Sequence, residues 1–278
     1  MPSKLASLAV VSLLLLSGCG GILGNETPTP PRENRTNDSP KWLAPGLTSD
    51  GVTDAHALAS THRETVMSQS RTAAMETRLT DAENGSVFSN RSYVVRTTED
   101  DRRLAEWTEH STNPRFSAFD GSQVFWHDPD VSEFAARSET EEGIVRYDYR
   151  EETPNGLFPD AAYAGRLYSL FSVMNVSIAP ETVDRSVHRL EATEQTLFFE
   201  GREIRNVTFT ARVDYTGVVR SYEFGYETDV DGTLLRVTER IRVSDIGSTS
   251  IERPEWVETA REAQAERDGS TDESENGT

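Results

Sequence analysis

Val207-Thr208-Phe209-Thr210-Ala211-Arg212-Val213-Asp214-Tyr215 puts an apolar or aromatic side chain at every odd position and a polar one at every even position. Successive side chains of a strand point to opposite faces, so this run is a strand buried on one side and wet on the other. Thr216-Gly217 turns the chain, and in the next run Tyr222, Phe224 and Tyr226 share one parity. Asp231-Gly232 is a hairpin turn pair leading into Leu235, Val237, Ile241 and Val243. The outcome is a meander in which the Val207 and Leu235 strands flank the Tyr222 strand. Its register is set by the alternation, because a slip of one residue would bury Arg212 and Asp214. Glu239 interrupts the apolar parity of the last strand and reads as a carboxylate at a sheet margin or one paired with an arginine.

Long strands that are apolar on one face suit a strongly curved sheet wrapped around helices or around a ligand. Two helices can fill that role. Asp54 caps a run to about Ser68 with Ala55, Leu58, Ala59, His62 and Val66 at helical spacing. Asp160 is the cap expected for a second, from about Ala161 to Met174, with a stripe of Ala164, Leu167, Leu170, Phe171 and Met174. Ala73, Met75, Thr77 and Leu79 share a strand parity, and further short strands are expected at Ser92–Thr98, Arg103–Glu109, Ser122–His127 and Ile144–Arg150. After Pro254, Glu255 to Arg267 forms a short polar helix with Trp256, Val257 and Ala260 against the domain. The expected fold is α+β: a single curved antiparallel sheet, an open half-barrel, with two main helices packed on its concave side.

The other decisive stretch is at the start. Leu16-Ser17-Gly18-Cys19 closes an apolar run from Leu5, preceded by Lys4, and Cys19 is the only cysteine in the chain. This is the layout of a secretory signal ending in a lipobox. The twelve residues from Leu5 to Leu16, all apolar but Ser7 and Ser12, are too few to cross a hydrocarbon core about 30 Å thick as a helix. The expectation is therefore a signal peptide over 1–18, lipid on the Cys19 thiol, and a mature protein held on the extracellular face of the cell membrane. Residues 19–45, with Thr27-Pro28-Thr29-Pro30-Pro31 at their centre, form a Pro/Thr-rich tether. The domain occupies 46–267, and 268–278 is an acidic disordered tail.

Asp and Glu number 47 against 28 Lys and Arg, a net charge of −19, and only Lys4 and Lys41 are lysine. Such a surface fits a salt-adapted protein of a halophilic archaeon, since molar salt shortens the Debye length to about 3 Å and removes most of the self-repulsion. The same charge argues against nucleic acid and against electrostatic docking on anionic lipid. Eight of ten asparagines lie in Asn-x-Ser/Thr, among them Asn84, Asn90, Asn175 and Asn206, as in an N-glycosylated surface protein.

The lipobox, the Thr-Pro tether, Ala55-His56-Ala57-Leu58-Ala59, the turn Asp214-Tyr215-Thr216-Gly217-Val218-Val219 and Arg253-Pro254-Glu255-Trp256-Val257 together resemble an uncharacterised family of haloarchaeal surface lipoproteins. More distantly the layout resembles the open-barrel lipoprotein carriers, such as the bacterial periplasmic lipoprotein chaperone and the mycobacterial lipid-carrying lipoproteins. That resemblance implies a curved sheet with helices in its mouth that encloses an acyl chain.

No catalytic constellation accompanies these features. The five histidines form no His-x-x-x-His pair, there is no second cysteine and no Gly-x-Ser-x-Gly elbow, and no metal or cofactor site is expected. His127-Asp128-Pro129-Asp130 and Asp229-Val230-Asp231-Gly232 read as turns. Two roles remain. One is a non-catalytic surface module whose apolar residues are core, with protein partners the sequence does not name. The other is a carrier for a lipid or other hydrophobic ligand, with Leu167, Phe171, Met174, Phe209, Tyr222, Phe224, Tyr226, Val237 and Ile241 lining a cavity. Lipidation has a direct check: Cys19→Ser should move the protein from the membrane fraction to the soluble one, and a variant retained as fully as wild type would place the anchor elsewhere.

Overall fold

The computed structural model describes residues 39–113, 120–151, 158 and 162–275, with side chains described as far as Asp268. Cys19, the apolar run before it, the Thr-Pro tract and the expected cap Asp160 lie outside the described residues.

Two antiparallel meanders meet edge to edge. The first comprises β4 (Arg71–Asp81), β5 (Val87–Thr97), β6 (Arg103–Ser111), β7 (Gly121–Asp128), β8 (Glu133–Thr140) and β9 (Val145–Arg150). The second comprises β10 (Ser177–Ile178), β11 (Val187–Phe199), β12 (Arg202–Asp214), β13 (Val219–Val230) and β14 (Thr233–Ser244). Pairing of β14 with β4 joins them into one eleven-stranded sheet of order β10-β11-β12-β13-β14-β4-β5-β6-β7-β8-β9. The sheet is curved but not closed into a barrel, because its outermost strands β9 and β10 do not pair with each other. A small sheet of β1 (Trp42–Ala44), β2 (Leu47–Thr48) and β3 (Gly51–Val52) precedes it.

The expected meander is present, with β12 and β14 on either side of β13. Ala211, Tyr222, Ile241, Met75, Tyr93 and Trp107 succeed one another across six strands on a single face, hereafter the core face. The alternation holds from Val207 to Val213 and fails at its end. A register shift at Arg212/Val213 buries Asp214 and leaves Tyr215 69% exposed, the reverse of expectation. Asp214 tolerates burial because its Oδ1 accepts from the backbone N–H of Thr216 (2.9 Å) and Val218 (3.1 Å) and its Oδ2 from Arg220 Nε (2.7 Å). Gly217 closes this turn at φ +86°, and a Cβ there would stand 2.9 Å from Thr61 Cγ2.

Helices α1 (Ala55–Met67) and α2 (Ala164–Val173) cover the core face of the β10–β14 half. Asp54 caps α1 as expected, accepting from Ala57 N–H at 2.9 Å. His62, buried in α1, accepts from Val219 N–H through Nδ1 (3.1 Å) and so donates through Nε2 to the Ala162 carbonyl (2.7 Å), a neutral imidazole bridging helix, sheet and the approach to α2. α2 is shorter than expected at both ends and starts after Tyr163, whose left-handed φ of 51° breaks the helix there.

Two boundaries move. The packed domain begins before Gly46, since Leu43 and Ala44 of β1 are buried against the α1 side of the core. The expected short polar helix is α3 (Trp256–Glu275), longer than anticipated and extending into the stretch expected as a disordered tail. Good helix formers from Glu258 to Arg267 and an Arg261–Glu258 pair at i,i+3 (2.6 Å) support its first half, whereas Asp268-Gly269-Ser270-Thr271 beyond them carries no helical signal in sequence. α3 also lies on the face opposite α1 and α2, where Val257 and Ala260 pack with Trp126 and Ala135 of β7 and β8.

One clamp fixes α3. Glu133 on β8 accepts from both forks of Arg253, at 2.8 and 2.7 Å, and from Trp126 Nε1 at 3.0 Å. The Arg253 hydrogen bonds hold the Glu133 carboxyl below its ordinary 4.5, against the upward push of burial. A carboxyl whose folded pKa is depressed contributes stability that is complete above its unfolded value and disappears as pH falls through the folded one. Arg253→Met should therefore cost about 1–2 kcal/mol near pH 7, with the gap from wild type closing below about pH 4.5. Denaturant midpoints at pH 3 to 7 test it, and a gap independent of pH would remove Glu133 as the cause.

Candidate functional site

The structure gathers the nine residues proposed as a ligand cavity onto the core face of β12–β14 and the underside of α2. Leu167 and Phe171 descend from α2, with Met174 just beyond its end, and Phe171 meets Phe209 edge to face at 5.9 Å. Phe209 tilts against Tyr222 (5.9 Å), and Phe224 against Tyr226 (5.1 Å). Val237 and Ile241 continue the same face on β14 and are buried. Leu167, Phe171, Met174, Phe209, Tyr222, Phe224 and Ile241 belong to one packed cluster that also takes Leu58 of α1.

Glu239 sits among these side chains, 8% exposed. It is paired with an arginine, one of the two alternatives open from sequence. Arg166 of α2 donates to it bidentately, Nε to Oε1 at 3.2 Å and Nη2 to Oε2 at 2.7 Å, and the Tyr222 hydroxyl donates to Oε1. Arg166 also binds Glu200 (2.6 Å) and lies over Phe199 at 4.8 Å. Burial and the Glu239 charge raise the Tyr222 hydroxyl far above the ordinary tyrosine range, so it remains a donor. This cluster is satisfied internally, and its work is to hold α2 on the sheet.

The neighbouring half of the core face differs. Tyr93, Val95, Ala105, Phe125 and Phe134 on β5–β8 form a second buried apolar cluster, with Trp107 and Phe158 beside it. Polar atoms reach into it without partners. Arg91 Nε, Tyr93 Oη, Thr97 Oγ1, Trp107 Nε1 and His127 Nδ1 are buried and make no hydrogen bond among the described residues. All five side chains share the core-face parity of β5, β6 and β7, and Tyr93 stands opposite Trp107 with rings edge to face at 6.0 Å. The Arg91 guanidinium lies 5.4 Å over Trp107 while its Nη2 binds Glu109 at 2.8 Å. Burial, and the neighbouring Tyr163, keep the Tyr93 hydroxyl protonated well above its usual range; burial, then Arg103, push His127 toward its neutral form. Phe158 lies tilted against the His127 ring at 5.9 Å. A buried donor left unmade costs about 1–3 kcal/mol, so a row of them sets this face apart from the internally satisfied half.

These residues were not singled out from sequence. Tyr93, Val95 and Thr97 alternate legibly on their strand, but an aromatic with a polar tip looks the same whether or not its tip finds a partner. Of His127-Asp128-Pro129-Asp130, expected as a turn, His127 and Asp128 end β7 and Pro129 and Asp130 open the β7–β8 turn, with Asp130 N–H donating to Asp128 Oδ1 at 3.1 Å. Asp231 and Gly232, at φ 52° and 78°, make the β13–β14 hairpin turn. One group of three potential metal ligands, His110, Asp120 and Glu141, occurs among the described residues, at the surface. Asn84, Asn90, Asn175 and Asn206 are exposed. Asn206 is held at a bulge with φ 50°, its amide donating to Glu227 Oε2 at 2.7 Å.

A model of a family of unknown function, DUF7537, matches residues 4–260. No curated protein matches in sequence. Among solved structures, similarity extends to a DUF1329 family protein from Desulfovibrio piger, at 10% identity over 73% of this chain and 94% of that one, with a TM-score of 0.26. A LolA superfamily protein from Nitrosomonas europaea matches at 10% identity over 71% and 94%, TM-score 0.26. A candidate outer membrane lipoprotein-sorting protein domain from Vibrio parahaemolyticus matches at 12% identity over 73% and 96%, TM-score 0.23.

The Arg166–Glu239 pair separates structural from ligand-binding chemistry on this face. Arg166→Met should cost about 3 kcal/mol, because it strands a buried carboxylate, and adding Glu239→Leu should recover most of that loss. Urea midpoints of the two variants decide; equal destabilisation in both would mean the pair does not act as a unit.

Proposed function

The chain belongs to DUF7537, a family of unknown function, and we propose that it is a non-catalytic binding protein for a hydrophobic ligand carrying acceptor oxygens. It is held on the extracellular face of a salt-adapted cell by lipid on Cys19 and glycosylated at exposed sequons. The observation that carries the binding role is the row of buried, unpartnered polar atoms on β5–β7. Trp107 Nε1 and Arg91 Nε can only donate, while the Tyr93 and Thr97 hydroxyls donate or accept. Around them the surface is apolar: Val95, Ala105, Phe125 and Phe134. The matching molecule has a hydrocarbon body and ether, ester or ketone oxygens, and few donors of its own.

On this reading the ligand lies beside the helix-covered half of the sheet. Under α1 and α2 the rings already occupy one another's contacts and Glu239 is fully engaged. On β5–β7 the donors lack exchange partners, and a ligand oxygen would supply them at about 0.5–1.5 kcal/mol per hydrogen bond.

Tyr93→Phe tests the reading with two opposed signs. In ligand-free protein, removing an unpaired buried hydroxyl should raise stability by about 1 kcal/mol. In protein purified from its own membranes, native mass spectrometry in high salt should show a non-covalent lipid adduct, reduced in Tyr93→Phe and further in Tyr93→Phe/Trp107→Phe. A destabilised Tyr93→Phe, or no adduct on wild type, would sink the proposal.

A further inference from the structure

The opposite face of the same sheet carries a groove of about 680 Å³ with a floor of small residues, Ala74, Ser92, Thr210 and Ser221. It adjoins a second hollow of about 340 Å³, with which it shares Arg189 and Arg212. Register places Arg189 beside Arg212, Arg212 beside Ser221 and Ser221 beside Arg242, so three guanidinium groups and a hydroxyl share one row across β11–β14. At about 4.8 Å per strand the row is about 14 Å long.

Their partners distinguish these arginines. In a chain of net charge −19, most arginines have a carboxylate to hand: Arg189 binds Glu191 (2.6 Å) and Arg240, on the groove wall, binds Glu223 (2.7 Å). Arg212 and Arg242 make no ion pair or side-chain hydrogen bond among the described residues; the two carboxylates that line the groove, Glu76 and Glu223, lie outside their row and both reach Arg240, at 3.9 and 2.7 Å. Arg185, in the adjoining hollow, uses its Nε only on the Glu181 carbonyl, at 3.1 Å. Two exposed guanidinium forks flanking a serine hydroxyl form a donor set for an oxyanion, which guanidinium recognises with two parallel hydrogen bonds. The row repeats such donors along a line, and the groove floor presents hydroxyls with no aromatic ring for base stacking.

We propose that this groove binds an acidic polysaccharide, through carboxylate or sulfate groups spaced along the Arg189–Arg212–Ser221–Arg242 row. Arg212 and Arg242 grip the oxyanions, Ser221 donates between them, and the acidic remainder of the surface repels polyanions that do not enter the groove. The site is independent of the apolar one, since its side chains project from the other face.

Binding of fluorescent dextran sulfate to the intact protein, followed by anisotropy at salt concentrations where circular dichroism shows the native fold, tests it. Wild type should bind, with affinity falling as salt rises, while neutral dextran should not. Arg212→Ala/Arg242→Ala should weaken binding at least tenfold with an unchanged dichroism spectrum. The control Arg146→Ala/Arg202→Ala, at two other exposed arginines, should change it less than twofold. Equal loss in both pairs, or no binding by wild type, would overturn the proposal. Competition by inorganic sulfate at matched charge would reduce the site to one for a simple anion and overturn the polysaccharide assignment.

Discussion

Eleven strands in one open sheet create more apolar face than a single layer of helix can cover, and that constraint organises the molecule. The core face runs from β11 to β8, yet α1 and α2 reach only the β10–β14 half of it. At the other end the sheet is apolar on both faces: Phe125 and Phe134 point one way, Trp126 and Ala135 the other. α3 covers the second of these surfaces, so three helices are divided over two faces. What remains is the core face of β5–β8, where aromatic side chains pack with polar tips that no described group satisfies. The candidate ligand site is thus the part of a large sheet that its own helices do not serve.

Each helix is fixed in place by a polar contact as well as by burial. His62 ties α1 to Val219, Arg166 ties α2 to Glu239, and Arg253 ties the approach to α3 to Glu133. Hydrophobic burial is non-directional, whereas a bidentate guanidinium fixes orientation and register. Such contacts also matter in a chain this acidic. Exposed charges separated by more than about 3 Å are screened in molar salt, but contact pairs shielded by protein are screened much less. Arginine suits that duty better than lysine, because its fork matches a carboxylate at two points and lies flat on rings, as Arg166 does over Phe199.

Legibility in sequence followed burial. β12, β13 and β14, wet on one side, showed clean alternation, and their pairing came out as read. β8 went unread because Phe134, Ala135 and Ala136 are consecutive: a strand covered on both faces has no parity to display. β11 was also missed, although His188, Leu190 and Ala192 mark its buried side, because a histidine and an alanine give a weak signal. Asp214 and Tyr215 exchanged places since a bulge, invisible in a two-residue period, shifts the last turn of the strand. The candidate site was the least legible part. Whether Tyr93 or Trp107 has a hydrogen-bond partner depends on which strands flank it, and this follows from the whole strand order.

The two proposed sites are written in the same residues' neighbours. On β13 Ser221 faces the groove while Tyr222 faces the core, and on β14 Ile241 faces the core while Arg242 faces the groove. A slip of one residue in the β13–β14 pairing would bury Arg242 and expose Ile241 together. Glu239 guards against that slip, for its carboxylate must meet both the Tyr222 hydroxyl across the strand and Arg166 from the helix above. A shifted β14 would take the buried carboxylate away from Arg166 and leave it only the exposed Glu200. The buried pair that looks like an interruption in the apolar pattern therefore holds the register on which both faces depend.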